Sequence, residues 1–383
     1  MNIVETFVGS GGSHLGFSRS GFNPILLNDI NEKMINTLKL NYNYDDSIYF
    51  SGSIKEITKE KFPEVYNKEI DVLIGGIVCK GFSLAGNRNP IDDRNYLYKE
   101  QLRLVAELQP KISVIENVPQ LKTTFIIDKN SENEADILDL NELYKIKKSL
   151  NGQKTNKKCN LEELNLQFTK NKEKIKELEL KLTKHKYKVF DDILNLYKKL
   201  NYHVFFDILT CANYGDYTSR KRLFIIAIRD DVFSSNGDFK FPEVKYQKNE
   251  WKTVYDCFSK IDYTTEDKFN VPMKHKESTI EKFKLISMGA SQKGQFASRG
   301  TTKRIHKDLP VPTLVPGHSA FFIHPIEHRS LTLREGACLT GYPNDYQFFG
   351  SHTSICEQIG NSIPIKTATE LAKTIKEYLN RKN

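Results

Sequence analysis

Short apolar runs alternate with helix-like stretches through most of residues 1–230, and this alternation constrains the fold more than any other feature of the sequence. The runs are Ile3–Gly9, Pro24–Asn28, Ile70–Gly76, Ile112–Asn117, His203–Leu209 and Arg222–Ile228. Near-continuous apolar strands separated by helices are typical of a parallel sheet that is covered on both faces and wound right-handedly. We therefore expect an α/β fold with a doubly wound, Rossmann-like sheet.

The segment between residues 130 and 188 has no strand pattern and is rich in lysine. Its apolar positions step alternately by three and four residues and predict a heptad seam with one polar member: Leu161, Leu164, Phe168, Asn171, Ile175, Leu178 and Leu182. An upstream stripe of Leu143, Ile146 and Leu150 precedes a turn signal at Asn151–Gly152. These features predict an antiparallel helical hairpin inserted into the sheet domain. A solvated spacer and a basic arm that grips phosphates are both open as its role.

After Arg229 the pattern becomes loop-rich, with prolines at 242, 272, 310, 312, 316 and 325, and a helix is predicted over Ile365 to Leu379. We therefore expect one domain from residues 1–230 plus 352–383, carrying the hairpin at 130–188, and a smaller domain from residues 231–351.

Composition limits the classes of partner and compartment. The 57 basic and 48 acidic side chains give a formal net charge of +9. This charge favours a polyanionic partner only weakly, because lysine and asparagine are abundant throughout. The cysteines are far apart and form no CxxC pair, so we expect reduced thiols and no metal site. We also expect no membrane span, no secretory signal and a cytoplasmic location.

The first two strands end in residues suited to a nucleoside cofactor. A glycine-rich segment, Phe7–Phe17, follows the first strand, and its glycines permit a tight turn and close approach of a ligand to the backbone. Asp29 lies about twenty residues after Gly9, where a carboxylate accepts the two ribose hydroxyls. This pattern does not distinguish a dinucleotide from S-adenosylmethionine. A helix N-cap is the alternative role for Asp29.

A cysteine stands at the carboxyl end of the third strand. The segment 75–86 places Cys79 on a glycine-rich loop, where open sheets carry their active sites. A neighbouring strand ends in Ile115–Val118 and brings the carboxyl group of Glu116 to the same rim. A lone cysteine is more often a small buried residue than a nucleophile. The position of Cys79 at the end of a strand and the carboxyl group of Glu116 on the neighbouring strand favour a nucleophile here.

These segments, in this order, resemble the cytosine-C5 DNA methyltransferases. Four further motifs also occur at their places in that family's order. Arg94–Tyr98 lies between the Cys79 and Glu116 segments, and the other three follow them: Gly215–Arg222, Arg329–Glu335 and Gln358–Pro364. The resemblance covers nearly the whole chain apart from the inserted helices and the specificity region. It implies a methyltransferase-type sheet with a smaller target-recognition domain, S-adenosylmethionine as cofactor and no metal. It also implies a monomer in the bacterial cytoplasm, associated with the nucleoid.

The resemblance also implies the roles of individual residues. Cys79 would add to C6 of a flipped-out cytosine, Glu116 would protonate or hydrogen-bond N3, and Arg222 would donate to O2 with Arg220 beside it. The cofactor positions carried over are Phe7, Gly9, Gly11, Asp29, Ile30, Ser53, Ile54, Leu97, Asn361 and Ser362. For Ile54 and Leu97 a role in the hydrophobic core is the alternative. The positions expected to contact DNA are Lys80, Ser83, Arg88, Arg94, Gln292, Gln295, Arg299, Lys303, Arg304 and Thr313.

The sequence departs from the family pattern at Glu5, Ser53, Val78, Lys80, Tyr217 and Thr218. Ser53 replaces an aspartate that commonly accepts from the adenine amine, which leaves adenine recognition at this position open. Lys80 stands where the family usually has glutamine, and we expect it to hold a DNA phosphate.

The segment 291–304 is rich in glutamine, arginine and lysine, the side chains that read bases in the major groove, and its brevity predicts a short recognition site. The implied substrate is double-stranded DNA, modified as the partner of a cognate restriction endonuclease. Two alternatives remain: a tRNA cytosine-C5 methyltransferase and a catalytically silent DNA-binding relative. The specificity segment argues against the first, and the retention of Cys79, Glu116 and Arg222 argues against the second.

Overall fold

The computed structural model describes residues 1–77, 89–129, 133–153, 161–291, 303–314 and 321–381. The chain divides into two compact units. The first unit consists of Met1–Ile77, Arg103–Glu116 and Asn201–Asn383, and the second of Val78–Leu102 and Asn117–Leu200. The domain boundary that the sequence places near residue 230 stays a prediction.

The strands of the described chain are β1 (Asn2–Thr6), β2 (Asn23–Asp29), β3 (Tyr49–Ser51), β4 (Val72–Gly76), β5 (Ile112–Asn117), β6 (Phe125–Ile127), β7 (Lys186–Lys188), β8 (Tyr202–Thr210) and β9 (Lys221–Arg229). Seven of them form one sheet in the order β3-β2-β1-β4-β5-β9-β8. β1 pairs in parallel with β2 and β4, and the pairs β2–β3 and β4–β5 are also parallel. The expected doubly wound α/β fold is confirmed. At one edge β8 and β9 form an antiparallel hairpin, which the alternation of strands and helices did not reveal.

The helices of the described chain are α1 (Gly12–Arg19), α2 (Glu32–Asn41), α3 (Pro63–Tyr66), α4 (Leu97–Leu108), α5 (Glu134–Gln153), α6 (Leu161–Lys181), α7 (Val189–Lys199), α8 (Asp230–Asn236), α9 (Val254–Phe258), α10 (Glu277–Lys284), α11 (Leu333–Thr340), α12 (His352–Asn361) and α13 (Ile365–Leu379). The predicted C-terminal helix matches α13 at both ends. Within the described ranges, no helix combines the length and the apolar character needed to cross a bilayer.

The sheet core forms because the strands are apolar on both faces. Val72, Val114 and Ile226 are fully or almost fully buried and share one cluster with Leu371 and Ile375 of α13. A second cluster joins α9, α11 and α12 in the C-terminal half of the first unit. This packing holds the glycine-rich segment after β1 and the start of α13 within the same unit.

The second unit contains the predicted helical hairpin. α5 and α6 run antiparallel, because Asp136 pairs with Lys181 (2.8 Å between Oδ1 and Nζ) whereas Leu143, further along α5, accepts from Asn171. Buried positions of the predicted seam are Leu164, Asn171, Ile175 and Leu182.

The upstream half of the hairpin prediction needs two corrections. Ile146 is 46% exposed, whereas Leu150 is buried and Leu143 packs against the cluster that contains Ile137, Leu140 and Tyr144. α5 also continues through the predicted turn at Asn151–Gly152 and ends at Gln153. Of the three predicted stripe positions, therefore, only Ile146 lies on the exposed side of the helix.

The first turn of α13 is held by a carboxylate from a distant loop. The Asp216 side chain accepts from the backbone N–H groups of Lys366 (3.1 Å) and Thr367 (2.9 Å) and from the Thr367 hydroxyl (2.6 Å). These bonds satisfy donors that a helix N-terminus leaves unpaired. Asp216 is fully buried, and burial raises its pKa from 3.8 to about 6 against the effect of the hydrogen bonds.

A raised carboxyl pKa makes the stability of the fold depend on pH. The unfolded chain loses this proton near pH 4 and the folded chain near pH 6, so we expect the free energy of unfolding to fall by up to ~3 kcal/mol as pH rises from about 4 to about 7. Asp216→Asn cannot titrate and should lack this component. Urea unfolding of both proteins across this range measures the difference. An unfolding free-energy difference that is independent of pH would contradict the assignment.

Candidate active site

The segment between β1 and α1 adopts backbone conformations that suit glycine. Phe7, Gly9 and Gly11 have φ values of 52°, 56° and 86°. A Cβ atom placed on Gly9 would meet no atom of the described residues within 4 Å, whereas one on Gly12 would lie 1.9 Å from the Ser362 hydroxyl. Among the residues that the structure describes, the loop is therefore packed at Gly12 and unobstructed at Gly9.

Asp29, at the end of β2, lies against this loop. Its carboxylate accepts from the Gly9 N–H (3.0 Å) and from the Asn31 N–H (2.9 Å). Burial raises the pKa of Asp29, and these two bonds oppose the rise. Asn31, which accepts from the Lys33 N–H, is the N-cap of α2. The alternative in which Asp29 caps this helix is therefore wrong, and its carboxylate keeps lone pairs for a ligand.

Two short segments adjoin Asp29: Ile30, which follows β2, and the turn capped by Ser53, which follows β3. Ile30 is 74% exposed although it is apolar, and Ile54 is 3% exposed. Ser53 caps the short helical turn Ile54–Glu56: its hydroxyl accepts from the Lys55 N–H (3.3 Å), and its own N–H donates to Glu56 (2.9 Å). The Gly52 N–H donates to the Asp29 carbonyl (3.0 Å), which connects the two segments.

The C-terminal motif Gln358–Pro364 contacts the glycine-rich loop. The hydroxyls of Ser362 and Tyr342 are 2.8 Å apart, and Tyr342 is also 2.8 Å from the hydroxyl of Ser10. Ser362 is buried, while Asn361 is exposed. The fold therefore brings together cofactor candidates from the two ends of the chain. Leu97, the first residue of α4, lies in the second unit.

A buried ion pair stands at the carboxyl end of β5. Glu116 Oε1 lies 2.7 Å from Arg222 Nε, and the two side chains are 11% and 9% exposed. Burial raises the pKa of Glu116, and the positive charge of Arg222 partly opposes this rise. A Cβ atom on Gly76 would lie 3.6 Å from both Glu116 Oε2 and the Phe7 carbonyl oxygen. The ends of β1, β4 and β5 therefore converge here.

Several expected site residues lie outside the described residues: Cys79, Lys80, Ser83, Arg88, Gln292, Gln295 and Arg299. Cys79 follows Gly76, the last residue of β4, by three positions in the sequence. Among the described DNA candidates, Lys303 and Thr313 are half-buried. Arg94 forms a two-point ion pair with Asp92 (2.8 and 2.6 Å).

Arg220 holds a backbone segment in this structure. Its guanidinium donates to the carbonyl oxygens of Gly360 (2.6 Å) and Asn361 (3.4 Å), at the C-terminus of α12. Its Nε is buried and has no hydrogen-bond partner among the described residues. Arg220 therefore connects the start of β9 to the Gln358–Pro364 motif.

The expected contact between Arg304 and DNA needs correction. Arg304 is 3% exposed. Its guanidinium donates to four backbone carbonyl oxygens at 2.6–2.8 Å, those of Phe283, Ile286, His324 and Glu327. A guanidinium that is buried and bonded in this way stabilises the surrounding loops and is not available to DNA.

Sequence reasoning missed a buried pair beneath the glycine-rich loop. Glu5 Oε1 lies 2.6 Å from His14 Nδ1, and Oε2 accepts from the Ser13 hydroxyl (3.0 Å). The pair joins β1 to α1. The replacement of aspartate by the longer glutamate at position 5 was the available signal, but the sequence did not identify the partner.

Comparison with protein families gives a match over most of the chain. A model of C-5 cytosine-specific DNA methylases matches residues 1–150 and 173–377. A type II methyltransferase of Haemophilus parahaemolyticus is 26% identical over 98% of this chain and 86% of its own length. One of Staphylococcus aureus is 27% identical over 100% of this chain and 77% of its own length. Apart from residues 378–383, the unmatched residues are 151–172, which include the adjoining ends of α5 and α6.

Solved structures share the fold. A candidate DNA modification methyltransferase encoded within an E. coli prophage has a TM-score of 0.66 and 21% identity, with 100% of both chains covered. The S. pombe Dnmt2 methyltransferase has a TM-score of 0.57 and 18% identity, also with 100% of both chains covered. Likeness at these identities supports the architecture and not a substrate.

The buried pair predicts how the protein responds to loss of Arg222. Arg222→Met leaves the Glu116 carboxylate buried and unpaired, so we expect a loss of about 3–5 kcal/mol in the free energy of unfolding at about pH 8. The loss should be smaller at about pH 5, because the unpaired carboxyl has a still higher pKa and takes up a proton.

The double variant Glu116→Gln, Arg222→Met removes both charges and is the matched control. Chemical denaturation at both pH values measures the effect. At pH 8 the double variant should be more stable than Arg222→Met alone. Equal losses for Arg222→Met at the two pH values would contradict this account.

Proposed function

The chain belongs to the C-5 cytosine-specific DNA methylase family, and from this premise we propose how it acts. We infer that it methylates C5 of a cytosine flipped out of a short specific site in double-stranded DNA. The observation that carries the proposal is the buried Glu116–Arg222 pair at the carboxyl edge of the sheet, next in the topology to the strand that leads to Cys79. A cytosine cannot be reached inside a duplex, so the target base leaves the stack.

The residues around Asp29 fit S-adenosylmethionine. No atom of the described part of the chain crowds Gly9, so a ligand can approach the backbone there. The Asp29 carboxylate retains acceptor capacity for ribose hydroxyls, and the exposed Ile30 offers an apolar surface to an adenine ring. We propose that Phe7, Gly11, Ser53, Ile54, Leu97, Asn361 and Ser362 complete this site. When bound, S-adenosylmethionine supplies an electrophilic methyl group on a sulfonium centre.

Cys79 and Glu116 make C5 of cytosine nucleophilic in this proposal. The Cys79 thiolate adds to C6, and Glu116 donates a proton to N3, so that electron density moves to C5 without leaving a bare charge on the ring. Transfer of the methyl group to C5 leaves S-adenosylhomocysteine as the product. Solvent water then takes the C5 proton, and the electrons of the C5–H bond form the C5=C6 bond, expel the Cys79 thiolate and restore the aromatic ring. Glu116 recovers its proton from N3.

The environment of Glu116 supports its role as the acid. Burial raises its pKa, which favours the protonated form that the first step requires. Arg222 uses Nε to orient Glu116 and Nη1 to donate to the Lys221 carbonyl (2.8 Å). A guanidinium has five N–H donors, so Arg222 also serves as the proposed donor to cytosine O2. We propose that Arg220 supports this arrangement through α12.

We further propose that methylation protects DNA from a cognate restriction endonuclease in the bacterial cytoplasm, because the relatives are type II methyltransferases. Lys80, Ser83, Arg88, Arg94, Gln292, Gln295, Arg299, Lys303 and Thr313 remain the proposed DNA contacts. Bisulfite sequencing of DNA from cells expressing the protein identifies the modified base and its sequence context.

Covalent trapping tests the nucleophile and the substrate together. Duplex DNA with 5-fluorocytosine at the target position should form a denaturation-resistant adduct with the wild-type protein, because fluorine cannot leave as a proton does. Cys79→Ser should form none, whereas Cys356→Ser, which alters a buried thiol on α12, should form the adduct normally. An adduct on tRNA but not on duplex DNA would favour the tRNA enzyme. An adduct in Cys79→Ser would refute the assigned nucleophile.

Glu116→Gln tests the acid separately from binding. The amide keeps an acceptor for Arg222 but cannot donate a proton to N3, so single-turnover methyl transfer should slow by about 10²–10⁴-fold. DNA affinity should change little, as measured by fluorescence anisotropy on the same duplex. Methyl transfer within threefold of the wild-type rate would exclude Glu116 as the acid.

A further inference from the structure

Arg103, on α4, binds the segment that carries Ile54. Its Nη2 donates to the Ile54 carbonyl (3.1 Å), and its Nη1 donates to the Ile57 carbonyl (3.1 Å). Ile54 and Ile57 delimit the short turn that follows Ser53. A guanidinium has two parallel donor edges and can bridge two carbonyl groups in this way, which a single ammonium group cannot do with the same geometry.

The Arg103 side chain is itself held by Glu107, which Tyr66 orients in turn. Its Nη1 donates to Glu107 Oε2 (2.7 Å), one turn further along α4. The Tyr66 hydroxyl donates to the same Glu107 oxygen (2.5 Å) and also lies 3.2 Å from the Ile57 carbonyl oxygen. The guanidinium therefore has a restricted set of conformations, although its side chain is 28% exposed.

The opposite end of this segment is attached to β2. The Asn28 side-chain amide donates to the Gly52 carbonyl (2.9 Å), and the Gly52 N–H donates to the Asp29 carbonyl (3.0 Å). Residues 52–57 are thus fastened to Asp29 at one end and to Arg103 at the other. The position of Ile54 relative to Asp29 depends on both attachments.

We propose that Arg103 is a positioning residue for the nucleoside part of the cofactor. This inference rests on the proposed function, which places Asp29, Ile30 and Ile54 around that group. Arg103 acts through the backbone of the 52–57 segment and does not touch the ligand. Its loss leaves two carbonyl groups without a charged donor and frees the 52–57 segment to move away from Asp29. A segment that must be ordered on binding costs affinity, whereas one that is already held in place does not.

Titration calorimetry of the full chain with S-adenosylhomocysteine tests the proposal without requiring turnover. Arg103→Ala should weaken binding by about tenfold or more, and Arg103→Lys should recover part of the affinity because one carbonyl regains a donor. The KM for S-adenosylmethionine should rise in parallel, while kcat at saturating cofactor and the affinity for duplex DNA stay within about twofold of wild type.

Arg229→Ala is the matched control. The Arg229 side chain is 25% exposed and likewise bridges a carboxylate, Asp231, and a backbone carbonyl, Gln109, but it lies at the amino end of β5. The Arg229→Ala variant should lose about as much stability as Arg103→Ala, with no change in cofactor affinity. Unchanged cofactor affinity in Arg103→Ala overturns the role of Arg103 but not the proposed function. If the alanine variant does not fold, unchanged affinity in Arg103→Lys has the same meaning. Absence of binding in the wild-type protein overturns the proposed function as well.

Discussion

The proposed chemistry depends on one buried ion pair, that between Glu116 and Arg222. The two residues are 106 positions apart in the chain, and they meet because β5 and β9 are neighbours in the sheet. Desolvation raises the pKa of the carboxyl group while the guanidinium limits the rise. A carboxyl group balanced between these two effects can hold a proton for a base and take it back, which is what an acid catalyst for cytosine activation requires.

The cofactor side of the site is organised by backbone hydrogen bonds rather than by charge. Gly9 and Gly52 each donate an N–H to Asp29, the first to its carboxylate and the second to its carbonyl oxygen. These contacts join the loops after β1 and β3 to the end of β2. Ser53 caps the next turn in a reciprocal arrangement with Glu56. Arg103 holds the other end of that turn, and in our proposal this makes α4 a support of the cofactor site.

The region outside the sheet shows where local patterns mislead. The 3–4 spacing in α6 correctly identified its buried face, because one long amphipathic helix repeats its signal over several turns. The shorter stripe proposed in α5 included the exposed Ile146, since three positions are too few to set the phase of a helix. Arg304 resembled a DNA contact by residue type, yet it bonds four carbonyl oxygens of the loops around it. Nothing local in a sequence shows whether an arginine faces solvent or a ring of carbonyl groups.

The amino-acid sequence by itself determined the strand–helix alternation, the glycine-rich loop, the order of the motifs and the residue types of the site. These are local or ordered features, and they follow from hydrophobic periodicity and from the conformations that glycine permits. Only the tertiary structure decided which distant groups meet: Glu116 with Arg222, Arg220 with the end of α12, and Asp216 with the start of α13. Such pairs are set by sheet order and by the burial of polar groups that must find partners, and neither is encoded in any single segment.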